Sequence, residues 1–374
     1  MSTTISDYRA TFTGEPGYLN FAAFGPLSTT VREEVVADIE MLGTGRASSI
    51  DYVAGREQEA REALAGLLGG SPEEVTLQPT TSYGMMHALY GLSGGVLASV
   101  AEFPTIPTLM VRAAESFGLL EPQWMEPERG FVTPEVVADH VRDDTRALAV
   151  SLVDSRTGYR VDLRGLREAI GEDRLLIVDD TQGFGMIEAD YAAADVVCGH
   201  GYKWLRAGRG TGFAWFSARA RAAIRPVLSG HPATETGITW DEVPAPVTTA
   251  QAYRVSQPDW LAAGRLAVAA GEIAAVGVGA IQQELAVLTD RVIALADTYG
   301  VPVLTPREPE HRAGFVALAP KPGQVAPLGA ALANRGVTVT SRSNLVRVAP
   351  HVGTEDATFG LFEEALAAFT QKIV

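Results

Sequence analysis

The chain holds a single cysteine, Cys198, among its 374 residues. One thiol excludes an internal disulfide framework and a cysteine-based zinc cluster. The six histidines are scattered, with no HExxH-like spacing, so no metal site is expected. Basic residues are outnumbered: 30 Lys and Arg face 45 Asp and Glu, a formal net charge of −15. That balance argues against nucleic acid and anionic membrane as partners, because both require clustered Lys and Arg. A local phosphate site stays compatible with it, since backbone N–H groups can build one without net positive charge. No stretch approaches the roughly 18 apolar residues that a membrane span requires. The start, Met1 to Asp7, has neither a basic region nor an apolar one, so no secretory signal is expected. With one thiol, this points to a reducing cytoplasm.

What is present is an ordinary globular balance, 47% hydrophobic and 20% charged residues, in a chain long enough for a large core. Apolar residues recur at a helical period over Thr29 to Leu42 and over Tyr52 to Leu68, the latter ending at Gly69-Gly70. Short apolar runs predict strands at Val75 to Leu77, Val96 to Val100, Ala147 to Val153, Leu175 to Val178, Ala194 to Cys198 and Gly212 to Phe216. Helices are expected after Thr80-Thr81-Ser82, running through Leu92, and over Leu163 to Ile170. This alternation predicts an α/β fold with a mostly parallel sheet covered on both faces. The Gly-rich or polar strand ends place a ligand at that edge of the sheet.

Residues 229 to 259 lack periodicity and read as a long loop lining a site or a subunit interface. Beyond them come helices over Trp260 to Val276, Ala280 to Tyr299 and Thr354 to Ile373, with strands at Gly314 to Leu318, Val337 to Thr340 and Leu345 to Val348. The expected division is a large domain over 16–259 and a smaller α+β domain formed by 1–15 and 260–374.

Two segments carry the chemistry. The run Val178-Asp179-Asp180-Thr181-Gln182 delivers a carboxylate at a strand end, and Cys198-Gly-His200-Gly-Tyr202-Lys203 delivers a lysine after another. A lysine amine can condense with an aldehyde, and a fixed carboxylate can keep a pyridine nitrogen protonated. Together they are what pyridoxal 5′-phosphate (PLP) requires of a protein. Asp180 competes with Asp179, and strand alternation puts the two on opposite faces. Gln182 is a candidate for the ring hydroxyl, or a loop amide. Thr80 and Thr81, between a strand and a helix, offer hydroxyls and free N–H groups for an anion, or a cap that binds nothing. The glycines of Gly208-Arg-Gly-Thr-Gly212 precede a strand, so they are not a dinucleotide loop. Phe103 can stack on a flat ring or fill a core. Arg347 lies within an apolar strand, where a charge needs a partner: a substrate carboxylate or a structural salt bridge.

With these residues in order, the chain resembles the class V aminotransferase, or cysteine-desulfurase-like, group of fold-type I PLP enzymes. The resemblance covers nearly the whole chain. It implies a seven-stranded sheet in the large domain and an active site shared across a homodimer. Tyr18 to Pro26 resembles the opening active-site segment and Ser151 to Gly158 the strand before the substrate loop. It also implies phosphate contacts from Thr80, Thr81, His200 and Tyr202, with Ser256 and Gln257 given to the partner's phosphate site. Stacking falls to Phe103, the ring nitrogen to Asp179, the ring hydroxyl to Gln182 and Ser155. Lys203 becomes the catalytic lysine and Arg347 the carboxylate ligand, with Phe24, Trp240 and Tyr253 expected in the substrate pocket.

The departures matter equally. Desulfurases carry a mobile cysteine shortly before the matching arginine, whereas Thr338-Val-Thr-Ser-Arg-Ser-Asn344 has none. Cys198 reads as packing. Phe103-Pro104 and Tyr253 to Pro258 resemble the kynureninase side of the group. The expected activity is that of a PLP-dependent lyase, a C–S β-lyase on a cysteine conjugate of secondary metabolism or thiol biosynthesis. The alternatives are decarboxylation-coupled oxidative deamination, kynureninase-like hydrolysis, epimerisation and a non-catalytic scaffold.

Overall fold

Seven short segments of the chain pair into one sheet. The structure, a computed structural model, describes residues 4–236, 239–342 and 344–371. The strands are β1 (Val75–Gln78), β2 (Gly94–Ser99), β3 (Leu120–Met125), β4 (Thr145–Ser151), β5 (Leu175–Asp179), β6 (Val196–His200) and β7 (Gly212–Phe216), in the order β1-β7-β6-β5-β4-β2-β3. Strands β2 to β6 pair in parallel, and β7 runs antiparallel to both β6 and β1. This is the mostly parallel sheet that the alternation predicts. Every residue of β5, β6 and β7 is buried. The pleat divides them: Leu148, Val150, Leu176, Val178 and Val197 join one apolar cluster, and Ala147, Ala149, Ile177, Val196 and Cys198 the other. Helices therefore cover both faces. Gln78, Ser99, Ser151, Asp179 and His200 end their strands at one edge, where β7 begins.

Several elements differ from the sequence reading. The helix expected over Tyr52 to Leu68 is two, Ala47–Ala54 and Arg56–Leu68, meeting at Gly55, and Gly69 closes the second at φ 72°. Helices Thr105–Phe117, Pro134–His140 and Val325–Asn334, and strand β3, carried no clear signal.

The small domain is built on β8 (Val316–Leu318), β9 (Thr340–Arg342) and β10 (Leu345–Val348), antiparallel in the order β8-β10-β9. Val346 and Val348 point into its core with Leu328, Leu332, Phe362 and Leu366. The strand expected at Val337 to Thr340 is displaced, because Thr338 pairs with Tyr18 and the β9–β10 ladder starts at Thr340. The expected division at 259/260 does not coincide with where the packing changes. Helix Trp260–Val276 lies on helices Arg56–Leu68 and Thr29–Gly43, and its Leu266, Ala269 and Ile273 join the large-domain core. Tyr8 joins it too. The small-domain core begins at Val292, midway along helix Val278–Thr298.

Candidate active site

The strand ends at the shared edge line a cavity of ≈ 150 Å³. It gathers Thr80, Thr81, Phe103, Ser155, Asp179, Gln182, His200, Tyr202 and Lys203, residues drawn from 124 positions of sequence. Alternation resolves the two carboxylates. Asp179, at the end of β5, faces the cavity and accepts the Thr181 N–H at 2.9 Å. Burial raises its pKa, and the Thr181 hydrogen bonds and Lys203 oppose the rise. Asp180 points away, takes the Tyr191 hydroxyl at 2.6 Å, and is pushed by burial to about 8.

His200 ends β6, stacked on Tyr202 with ring centroids 3.7 Å apart, and neither of its ring nitrogens has a hydrogen-bond partner. Burial holds it well below the usual histidine pKa. Lys203 follows on a tight turn. Its pKa falls to about 7, first by burial and then through the charge of Arg347, with Asp179 pulling it up. Gly25 lies against this turn: its N–H donates to the Tyr202 carbonyl at 2.9 Å, and a Cβ there would sit 1.9 Å from the Lys203 carbonyl oxygen. The backbone carrying the amine is thus pinned by a position that only glycine fits. Lys203 and Lys321 are the only lysines among the described residues.

Thr80 stands before helix Thr81–Tyr90 with extended backbone and no side-chain cap, so the first N–H groups of that helix are free for an anion. The Thr81 and Thr181 hydroxyls lie 2.9 Å apart. Phe103 is partly exposed, and its neighbour, half-buried Glu102, accepts both the N–H and the hydroxyl of Ser151. Burial pushes Glu102 to about 7. Gln182 is largely engaged, its amide donating to the Ala22 carbonyl and accepting from the Trp204 indole, which leaves one N–H for a ligand. Arg347 lies deep beside Lys203, its guanidinium anchored on the carbonyls of Ser155 at 2.8 Å and Ala22 at 3.1 Å, with Nε unpartnered. It forms no ion pair among the described residues, so the structural salt bridge considered for it is not found there. Burial, then the charge of Arg342, lowers its pKa to about 10.

Other expected site residues are not in this cavity. Phe24 lines a separate space of ≈ 670 Å³ between the N-terminal segment and the small domain. Trp240 is 91% exposed on the 229–259 loop. Tyr253 is a core residue, 1% exposed, stacked on Phe216 and donating its hydroxyl to the Ile224 carbonyl, because the turn Ala250–Tyr253 packs inward. Ser256 and Gln257 line a third space of ≈ 410 Å³ with Tyr83 and Arg254. Cys198 is buried beneath Gly84, whose added Cβ would meet its sulfur at 2.9 Å. Arg209 is a charged site residue that the sequence reading missed, as it did the lining hydroxyls of Thr105, Ser151 and Thr181. It lines the cavity and stacks on Tyr202, its guanidinium carbon 4.6 Å from the ring centre. Its signal was a cation framed by two glycines with positive φ, Gly208 and Gly210.

The donor set fits PLP. Unpartnered His200 nitrogens, an uncapped helix terminus and Arg209 can take a phosphate. Phe103 can cover a flat ring, Asp179 can hold a pyridinium proton, and Lys203 carries the amine. The sequence profile described as Aminotransferase class-V matches residues 53–352. The chain belongs to this family. Among class-V relatives, a kynureninase of Deinococcus radiodurans is 28% identical over 68% of this chain, which spans 63% of that enzyme's length. A probable cysteine desulfurase of Aeropyrum pernix is 25% identical, with 75% of this chain and 72% of that one covered. The same fold occurs in the cystine C-S lyase C-DES, solved with its product cysteine persulfide: TM-score 0.85 at 18% identity, covering 96% of this chain and 98% of that one. PLP, the cofactor of the class-V family, is the group this site is built to hold.

Proposed function

We propose that this class-V protein is a PLP-dependent lyase that cleaves the C–S bond of a cysteine conjugate. One observation carries the reading: the lysine, carboxylate and arginine of an amino-acid site lie beside a loop without a usable thiol. Thr338 to Asn344 contains no cysteine, and the thiol of Cys198 is buried and pushed well above its usual pKa. Sulfur therefore has no protein nucleophile to receive it and leaves as a free thiol.

When bound, PLP supplies an electrophilic carbon for the substrate amine and an electron sink for the charge left by the α-proton. The protein's part is binding, orientation and proton transfer. Arg347, fixed by two carbonyls, offers its remaining N–H groups to the α-carboxylate. Asp179 keeps the ring nitrogen protonated. Lys203 removes the α-proton, its amine poised near neutrality by burial. Phe103, which lines the cavity, would cover one face of the ring and exclude water there. The Ser256 and Gln257 cleft suits a homodimer in which one protomer completes its partner's phosphate site, and a cytoplasmic setting suits the single reduced thiol.

The kynureninase match supports a second reading, hydrolysis of a Cβ–Cγ bond, because Phe103-Pro104 belongs to the same resemblance. Products separate the readings. Purified protein loaded with PLP and given cysteine conjugates should release pyruvate, ammonia and a free thiol in equal amounts. Alanine as product establishes the hydrolase instead, carbon dioxide a decarboxylase, and α-inversion alone an epimerase. No product from any amino acid leaves a binding scaffold.

A further inference from the structure

Cations outnumber carboxylates around the cleft. Lys203 and Arg209 line it, Arg347 lies beside it, and Asp179 is the one lining carboxylate. All four of these groups have partners under the proposed function: Arg209 the phosphate, Lys203 and Asp179 the two ends of the ring system. Arg347 takes the α-carboxylate. A further guanidinium, Arg342, has no assigned role.

Its place follows from the register of the small sheet. Arg347 pairs with Thr340, and Leu345 with Arg342, across the β9–β10 ladder. Residues two apart on a strand share a face, so Thr340, Arg342, Leu345 and Arg347 all project to one side. Val346 and Val348 project to the other, into the small-domain core. The Arg342 side is the one on which Arg347 reaches the Ser155 and Ala22 carbonyls of the large domain, so it faces the cleft. Diagonal neighbours of this kind stand roughly 7–8 Å apart. Arg342 makes no ion pair and no side-chain hydrogen bond with any described residue, and it is exposed at the strand end. Its charge nonetheless reaches inward, being one cause of the lowered pKa of both Lys203 and Arg347. A cation held near two others is stabilised by an anion placed among them. Arg342 also stands in the very stretch, Thr338 to Asn344, where a desulfurase-like chain would carry its thiol.

We propose that Arg342 is a second anion subsite at the mouth of the cleft, reading a carboxylate on the sulfur substituent, so that the preferred substrate is a dicarboxylic cysteine conjugate. This rests on the C–S lyase reading and narrows its substrate class. One carboxylate pairs with Arg347 and the other, several bonds away, with Arg342. A solvated surface arginine with no ligand is the competing account.

Two probes that differ only in charge decide between them: S-carboxymethyl-L-cysteine and its amide, S-carbamoylmethyl-L-cysteine. Each is titrated into the PLP-loaded protein while the visible cofactor band and thiol release are followed. The expected half-saturating concentration is about ten-fold lower for the carboxylate in the wild type, as one charge-assisted contact predicts. That ratio should fall to about one in Arg342→Gln and be partly kept in Arg342→Lys. A wild-type ratio near one, or a ratio unchanged in Arg342→Gln, overturns the subsite. If the band responds but no thiol appears, the lyase reading fails while the ratio of band half-saturations still judges Arg342. A band that responds to neither probe overturns the subsite as well.

Discussion

Two buried carboxylates belong to the same sheet and are provided for differently. Asp195 precedes β6 at the edge away from the cleft. It accepts the Leu176 N–H, the Ser217 hydroxyl and the guanidinium groups of Arg167 and Arg219. Asp179 ends β5 at the cleft edge and takes hydrogen bonds from Thr181 alone among the described residues. Both are nearly solvent-free. A carboxylate saturated by two arginines ties strands and helix together; one with spare lone pairs is short of a partner that a ligand can supply. His200 and Arg347 repeat the pattern at the cleft edge, each with unpartnered nitrogens. His87 shows that an orphaned atom alone does not mark a site. Its ring nitrogens are also unpartnered and burial lowers it to about 4, yet it packs against Tyr253 outside the cleft.

The largest effect that bears on this contrast is at the cleft edge. Lys203→Ala should remove turnover by at least about 10²–10⁴-fold, the range expected for a lost proton-transfer group. The melting temperature of the ligand-free protein should not fall, since a buried amine held below its usual pKa adds no stability when charged. Asp179→Asn keeps the shape and loses the charge; turnover should drop by a similar order while the fold is retained. Asp195→Asn should do the reverse. It leaves two arginines underpaired and costs about 3–5 kcal/mol of stability, with turnover per folded molecule unchanged. If both Asp variants lost activity equally at unchanged stability, the contrast between the two edges would be broken.

Smaller effects sharpen it. Arg347→Gln should raise KM for an amino acid about ten-fold or more, with a lesser change in kcat, because it removes a contact made in the ground state as well. The pH dependence of PLP capture by the ligand-free protein reads Lys203 directly. Its pKa is depressed to about 7 from 10.5, so the neutral, nucleophilic amine predominates above about pH 7. Stopped-flow capture rates should rise through that pH and then level off. A rate still climbing in alkaline buffer means that the lysine is not buried as described.

Much of this contrast was legible in the sequence. Strands β5 and β6 are short apolar runs up to their cleft-edge residues Asp179 and His200, and β7 is apolar throughout, the pattern of strands buried on both faces. The order of Thr80, Phe103, Asp179, His200, Lys203 and Arg347 was readable because each sits within a strand or no more than four residues beyond its end. The edge strand β3 was not readable: Pro122 interrupts it and Glu121 is exposed, both tolerated only at an edge. Phe24, Trp240 and Tyr253 were placed by segment rather than by side-chain direction, and direction decides. Tyr253 turns into the core while Trp240, in the same loop, turns out. Arg209 and Arg342 act through folding that brings separate loops to one edge, which periodicity does not encode.

The central claim is that Lys203, at the unsaturated edge of the sheet, is the residue that captures PLP. Borohydride reduction of the PLP-loaded protein, followed by digestion and mass spectrometry of the peptides, tests it directly. The added mass should fall on the peptide containing Lys203, in about one copy per chain, and should be absent in Lys203→Ala. Labelling spread over Lys321 and Lys372, or none at Lys203, would contradict the account.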